Sequence, residues 1–358
     1  MRQGRPQIDT FVSGAKHTIP PFKMSSDPVD NLNEHLTVDS ALRPTGWDDY
    51  VGQDKIKQNL RIILQAAKLR NEACDHLLFY GQAGLGKTTL AHLVTNELGC
   101  GLKVTSGPAL EKMGDLAAVL SNLENRDVLF IDEAHRINKN IEEVLYPAME
   151  SRKLNLIIGK GPGARTVSLD LPAFTVIAAT TRVHLISGPL RSRFGASFKL
   201  DYYDNPSIEA IVARSAGILG MALDSGAIRR IARASRFTPR AANRLLKRVR
   251  DYAEVHGAGA AVSEDDVRKT FELLDIDDLG LESLDRRYLE LIATKFNGGP
   301  VGINSVAAAM NDDPENIEDV VEPFLIMLGF LHRTPAGRMV TADGYAHIGL
   351  PLPQSRLI

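Results

Sequence analysis

Cysteine is almost missing from this chain of 358 residues: there are two, Cys74 and Cys100, in no Cys-x-x-Cys or Cys/His spacing. That excludes a disulfide-stapled miniprotein and points to a reducing compartment, with the cytoplasm as the expected location. No uncharged apolar stretch approaches about 18 residues, so no membrane span is expected. The N-terminus carries Arg2, Arg5, Lys16 and Lys23 but no apolar h-region, unlike a secretory signal. Charge of one sign is lacking too. Lys and Arg number 42 against 44 Asp and Glu, and a formal net charge of −2, averaged over the chain, weighs against a nucleic-acid partner. What is present is an ordinary globular composition, 44% apolar and 24% charged. At roughly 100 to 200 residues per domain, the length suggests two or three domains.

Residues 1–38 are rich in Pro, Ser, Thr, Asn and Asp without sustained periodicity, and a mobile N-terminal extension is expected there. A helix follows over Gln53 to Arg70, with Ile56, Leu60, Ile63, Leu64 and Ala67 on one face. Three short apolar runs, Leu77 to Tyr80, Val128 to Ile131 and Phe174 to Ala179, are separated by helical stretches, which argues for buried parallel strands in an α/β sheet. From the cap at Asp204-Asn205-Pro206-Ser207 to Leu274 nearly everything reads as short helices. Helices over Asp285 to Phe296, Ile303 to Met310 and Pro314 to Leu328 precede an extended stretch broken at Pro335-Ala336-Gly337, the outline of a winged helix-turn-helix. The expected division is 39–204 α/β, 205–280 all-helical and 281–350 winged-helix, with a tail over 351–358.

Gly81-Gln82-Ala83-Gly84-Leu85-Gly86-Lys87-Thr88 fits GxxxxGK[ST], placed after one apolar strand and before the helix Thr88 to Leu98. The glycines let backbone N–H groups face phosphates and the helix N-terminus adds partial positive charge. Lys87 would contact the β- and γ-phosphates, and the Thr88 hydroxyl would ligate Mg²⁺. A chance glycine turn is improbable where the four fixed positions of the pattern, Gly81, Gly86, Lys87 and Thr88, fall between a strand and a helix. The second run ends in Asp132-Glu133. Such a pair alone is an ordinary solvated strand end, but beside a phosphate loop Asp132 suits the Mg²⁺ shell and Glu133 suits the polarisation of an attacking water. The third run ends in Thr180-Thr181-Arg182, where a hydroxyl could sense the γ-phosphate; Thr181 is preferred and Thr180 competes with it. Arg191 and Arg193 precede a turn at Gly195, and an arginine offered to a neighbouring subunit's phosphate stabilises transition-state charge in trans.

Together with Leu42-Arg43-Pro44, Tyr50-Val51-Gly52-Gln53, Glu143 to Glu150, Thr238 to Leu246 and Leu331 to Arg338, these motifs make the chain resemble the RuvB family of AAA+ ATPases. These are the motors of Holliday-junction branch migration, and the resemblance runs from about Leu42 to Leu350. It implies an AAA+ P-loop domain with a parallel sheet, a small all-helical lid domain and a C-terminal winged-helix domain. It further implies an ATP- and Mg²⁺-dependent homohexamer that draws duplex DNA through its ring, with RuvA holding the junction and RuvC joining at resolution. By position, Leu42 and Arg43 match the base side of the nucleotide site, and Gly84, Lys87, Thr88 and Thr89 match the phosphate contacts. Glu150 and Tyr203 join the nucleotide-contacting set, Arg193 matches the arginine finger, and Arg240 matches a sensor arginine of the lid. Arg333 and Arg338 match residues of the wing that touch DNA.

Two departures stand out. Gln82 and Ala83 occupy loop positions where the family usually has prolines, which leaves the amides available on an altered loop. Asp132-Glu133-Ala134-His135 spells the DEAH box of superfamily 2 helicases, but the arginine placement and the later domains follow the AAA+ plan. Residues 154–169 read as a β-hairpin around Gly161-Pro162-Gly163, by resemblance the surface that meets RuvA. The competing reading is a nucleotide switch on DNA, such as a replication initiator or clamp loader, which shares this architecture without translocating. A protein-remodelling ATPase is disfavoured because no aromatic-Val-Gly pore loop occurs. Net charge also hides its own distribution. From Leu331 onward Arg333, Arg338 and Arg356 face only Asp343, whereas acids gather over Asp275 to Glu282 and Asp312 to Glu322. Ala227 to Arg250 holds nine basic residues and no acid, read mainly as a solvated face.

Overall fold

The three apolar runs become the centre of a five-stranded parallel sheet. A computed structural model describes residues 38–158, 165–257 and 261–353; of the extension expected over 1–38 only Val38 is described, as the first residue of the short helix Val38–Ala41, and the last five residues lie outside the described ones. The strands are β1 (Leu77–Tyr80), β2 (Leu102–Ser106), β3 (Val128–Asp132), β6 (Thr175–Thr180) and β7 (Ala196–Lys199), in the order β2-β3-β6-β1-β7. Leu77, Leu78, Val128, Leu129, Val176 and Ile177 are fully buried, as expected where helices cover both faces of a sheet. The edge strands β2 and β7 escaped sequence reading for the same reason. Each has one side open to solvent, so Leu102-Lys103-Val104-Thr105 and Ala196-Ser197-Phe198-Lys199 show no continuous apolar run.

The helix Asp54–Arg70 buries Ile56, Leu60, Leu64 and Ala67, and the helix after the glycine loop spans Lys87–Leu98. Between β3 and β6 lies an antiparallel pair, β4 (Lys153–Ile158) and β5 (Arg165–Asp170). The tip of the expected hairpin, 159–164, lies outside the described residues. At its base Leu154 packs into the core, while Val167 and Leu169 are exposed. Four helices follow, Asn205–Ile218, Ser225–Arg233, Pro239–His256 and Glu264–Leu273. Their apolar faces, including Ile208, Val212, Leu245 and Leu246, share one core with Leu77, Phe79 and Leu90 of the α/β part.

A separate core built on Tyr288, Leu289, Ile292, Ile317 and Leu325 holds the C-terminal part. Its helices are Ser283–Lys295 and Ile303–Met310, and its hairpin pairs β8 (Leu331–Thr334) with β9 (Gly337–Val340). The single helix expected over Pro314 to Leu328 is divided: helical Pro314–Asn316, a π-helical turn Ile317–Val321, then Glu322–Met327. A further short helix, Ala342–His347, was not anticipated. No described helix is long and apolar enough to cross a membrane.

Candidate nucleotide site and wing

The loop between β1 and the helix Lys87–Leu98 bends as its glycines allow. Gly84 has φ +82°, and a Cβ there would stand 3.0 Å from the Cβ of Arg240, so only glycine lets the lid come this close. Arg240 enters because Thr238 caps the helix Pro239–His256 by accepting from the Ala241 N–H at 3.3 Å; the Arg240 N–H points to Gly84 O at 3.4 Å. Lys87 is 7% exposed, and its Nζ donates to the carbonyls of Gly81 (2.7 Å) and Gln82 (2.9 Å). Burial lowers its pKa to about 8, against the opposing pull of Glu133 and Asp132. An ammonium this dehydrated, hydrogen-bonded to carbonyls, gains from an incoming anion, whereas the two carboxylates near it suit a cation.

A cleft of about 570 Å³ opens over this loop. Leu42, Arg43, Gly84, Lys87, Thr88, Thr89, Asp132, Glu133, Tyr203 and Arg240 all line it, so ten residues singled out from the sequence meet in one place. Arg43 is held by a 2.5 Å contact to His92 Nε2, and Leu42 is buried with its carbonyl accepting from Arg214 Nη1 at 3.0 Å. Tyr203 Oη donates to Tyr50 Oη at 3.2 Å, with Leu85 O at 3.4 Å. Tyr50 was noted only as part of the Tyr50-Val51-Gly52-Gln53 motif, with no role at the site, and Arg214 was missed altogether, because both meet the cleft through partners far away in the sequence.

At the end of β3 the Glu133 N–H donates to Asp132 Oδ1 at 2.9 Å, and Glu133 itself adopts φ +48°, ψ +45°. A left-handed backbone at a non-glycine residue costs of order 1 kcal/mol and concentrates where function requires a particular direction. Thr181 Oγ1 donates to Glu133 Oε2 at 3.3 Å. Thr180 is fully buried, accepts the Arg182 N–H at 3.0 Å and stands 2.9 Å from His135 Nδ1. Of the two threonines, Thr181 therefore faces the carboxylate and Thr180 supports the turn behind it. His135 Nδ1 also lies 3.2 Å from Glu133 Oε2; burial lowers the pKa of this histidine, with Glu133 opposing. Sequence reading treated His135 only as a letter of the DEAH string.

Arg193 and Glu150 do not line this cleft. They pair with each other, Nη2 to Oε1 at 3.0 Å, while the guanidinium sits 4.4 Å from the Tyr146 ring centroid and Nη1 donates to Pro189 O at 2.6 Å. Glu150, expected among the nucleotide contacts, thus belongs with Arg193 at the end of the helix Lys139–Ser151, away from the phosphate loop of its own chain.

The wing arginines also differ from a simple exposed pair. Glu322 is fully buried and accepts from Tyr288 Oη (2.7 Å), Arg338 Nε (2.8 Å) and Arg333 Nε (3.0 Å). Burial pushes its carboxyl pKa upward, but the hydrogen bonds from Arg338, Arg333 and Tyr288 outweigh burial and leave it lowered. A second Arg338 nitrogen bonds Glu318. Arg338, expected with Arg333 among the residues that touch DNA, is only 9% exposed behind its carboxylate partners; Arg333 is the more accessible of the two. The basic stretch 227–250 is largely answered by acids as well, with Arg236 on Asp285 (2.6 Å) and Arg244 on Glu282 (2.6 Å).

Three family descriptions match consecutive parts of the chain: the Holliday junction DNA helicase RuvB P-loop domain over 42–200, the RuvB AAA lid domain over 203–277 and the RuvB C-terminal winged helix domain over 278–349. The Holliday junction branch migration complex subunit RuvB of Dehalococcoides mccartyi (strain CBDB1) is 52% identical over 320 residues, covering 89% of this chain and 91% of that protein. Its counterpart in Chloroflexus aggregans is 53% identical with the same coverage. The solved Thermotoga maritima RuvB Holliday junction branch migration motor superposes with a TM-score of 0.81 at 45% identity, covering 87% of this chain and all of the other.

Proposed function

The chain belongs to the RuvB family, and on that premise we propose that it is an ATP-driven DNA motor that catalyses branch migration of Holliday junctions together with RuvA. The observation that carries the reading is the convergence of α/β and lid residues on one cleft around a dehydrated lysine and two carboxylates. ATP would lie there with its base toward Leu42, Arg43 and Tyr203 and its phosphates over Gly84, Lys87, Thr88 and Thr89. The donor set fits magnesium: the Thr88 hydroxyl and the Asp132 carboxylate line the same cleft and would hold it. When bound, Mg²⁺ offsets charge on the β- and γ-phosphates. Glu133 takes the proton of the attacking water, and Thr181 orients that carboxylate. Lys87 neutralises charge on the transferred group. Arg193 of an adjacent subunit completes the site in trans, and Glu150 holds that arginine ready.

Arg240, resting on Gly84, couples phosphate occupancy to the lid and so to the winged-helix part. In a homohexamer this displaces duplex DNA held by Arg333 and Arg338 through phosphate contacts, which are independent of sequence, as translocation requires. The β4–β5 hairpin, with exposed Val167 and Leu169, is the RuvA surface. RuvC joins the complex at resolution, and all of this takes place in the cytoplasm. A four-way junction assay with and without RuvA tests the reading. ATP-dependent strand exchange lost in Lys87→Ala is the expected result; ATP-stabilised DNA binding without junction movement would establish a nucleotide switch instead.

A further inference from the structure

Just beyond the strand that presents Thr181 to Glu133, one side chain crosses to the winged-helix part. Arg182 turns its side chain to Asp319, 137 residues away, with Nε on Oδ1 at 2.9 Å and Nη2 on Oδ2 at 2.5 Å. A two-pronged pair of this kind fixes orientation as well as distance. On the other side Arg182 is tied to the nucleotide site, since its N–H donates to the Thr180 hydroxyl that also meets His135, which lies against Glu133. Asp319 lies in the π-helical turn Ile317–Val321, a rare element that is frequently found at functional sites. The same turn carries Glu318, and Glu322 follows it; these are the carboxylates that hold Arg338 and Arg333. One short acidic segment is therefore gripped from the ATPase side through Asp319 and from the wing through Glu318 and Glu322.

We propose that Arg182 is a positioning residue through which the ATPase domain sets the DNA affinity of the wing. While Arg182 holds Asp319, the turn keeps Glu318 on Arg338 and Glu322 on both arginines, and a phosphate approaching them meets charge already matched by carboxylate. When the sensor end of β6 parts from the turn, Glu318, whose side chain is 37% exposed, leaves Arg338, and DNA phosphate takes its place. Glu322 is buried and stays. The inference rests on the proposed contact of Arg333 and Arg338 with DNA.

Duplex-DNA affinity of the full-length protein, measured by anisotropy without nucleotide and with ATPγS, tests it. Arg182→Ala removes a cation, so simple charge loss would weaken binding; release of the turn instead tightens nucleotide-free binding roughly five- to tenfold and shrinks the difference that ATPγS makes. Asp319→Asn should act alike, and the double variant should add nothing to either. The charge-swapped pair Arg182→Asp with Asp319→Arg should restore the parent's affinity. Unchanged or weakened binding by Arg182→Ala, or additive single effects, overturns the proposal. Arg333→Ala is measured in parallel. If it weakens binding while Arg182→Ala fails to tighten it, the coupling alone falls; if it leaves binding intact, the wing reading falls and the coupling with it.

Discussion

Glu133 joins three unusual features in one residue: a left-handed backbone, a carboxylate shared by Thr181 and His135, and a position one residue after the acid expected to meet the metal. If it accepts the water's proton, Glu133→Gln keeps ATP binding but loses turnover by at least about a hundredfold, read as ATPase rate against nucleotide affinity. Retained turnover would remove it from that role. Lys87 yields a different test. Its pKa is about 8 in the nucleotide-free protein, and a bound triphosphate favours the charged form and raises it. The protein must then take up close to one proton on binding ATP at about pH 9, and much less at pH 7 where Lys87 is already charged. Calorimetry in buffers of different ionisation enthalpy measures this directly, and proton uptake that is independent of pH would contradict it. The phosphate loop was legible at this scale because its chemistry is local, eight residues in one turn. His135, Tyr50 and Arg214 were not, because their meaning depends on partners up to 172 residues away.

Among the elements, burial decided what could be read. Central strands β1, β3 and β6 are covered on both faces and write themselves as apolar runs; β2 and β7 lie at the edges and do not. The wing shows the same limit. A helix was legible over Pro314 to Leu328, but its π turn and its burial of Glu322 under two arginines were not, since periodicity records which face is apolar and not which carboxylate is sealed inside. Removing Glu322 breaks charge-assisted hydrogen bonds worth about 1.5–3 kcal/mol, while Arg338 keeps Glu318 and Arg333 keeps water. Glu322→Ala should therefore lower stability by about that much in urea titration, and Glu322→Gln by less; a neutral effect would show that the arginines are solvated in practice. Gly52→Ala offers a packing test. Its Cβ would fall 2.7 Å from Tyr203 Cε1 at φ +76°, so Tyr203 must move and ATP affinity should drop while Mg²⁺-independent folding signals persist.

At the scale of the whole molecule, the separation of Arg193 from the cleft of its own chain carries the argument for an assembly. Mixing Arg193→Ala with Glu133→Gln subunits should restore part of the ATPase activity that each lacks alone, because some interfaces then combine an intact finger with an intact carboxylate. Confirmed co-assembly without recovery would place the finger elsewhere. The residues by themselves determined the parallel sheet, the phosphate loop, the helical part and the winged helix, because hydrophobic period and turn chemistry are short-range and survive in a linear string. Only the tertiary structure decided that Thr181 rather than Thr180 faces Glu133, that Glu150 belongs with Arg193, and that Arg338 is bound within the wing. Only the tertiary structure, too, joined Arg182 to Asp319. Pairing of charges and direction of side chains are set by long-range packing, and a sequence records the partners of such contacts without recording that they meet.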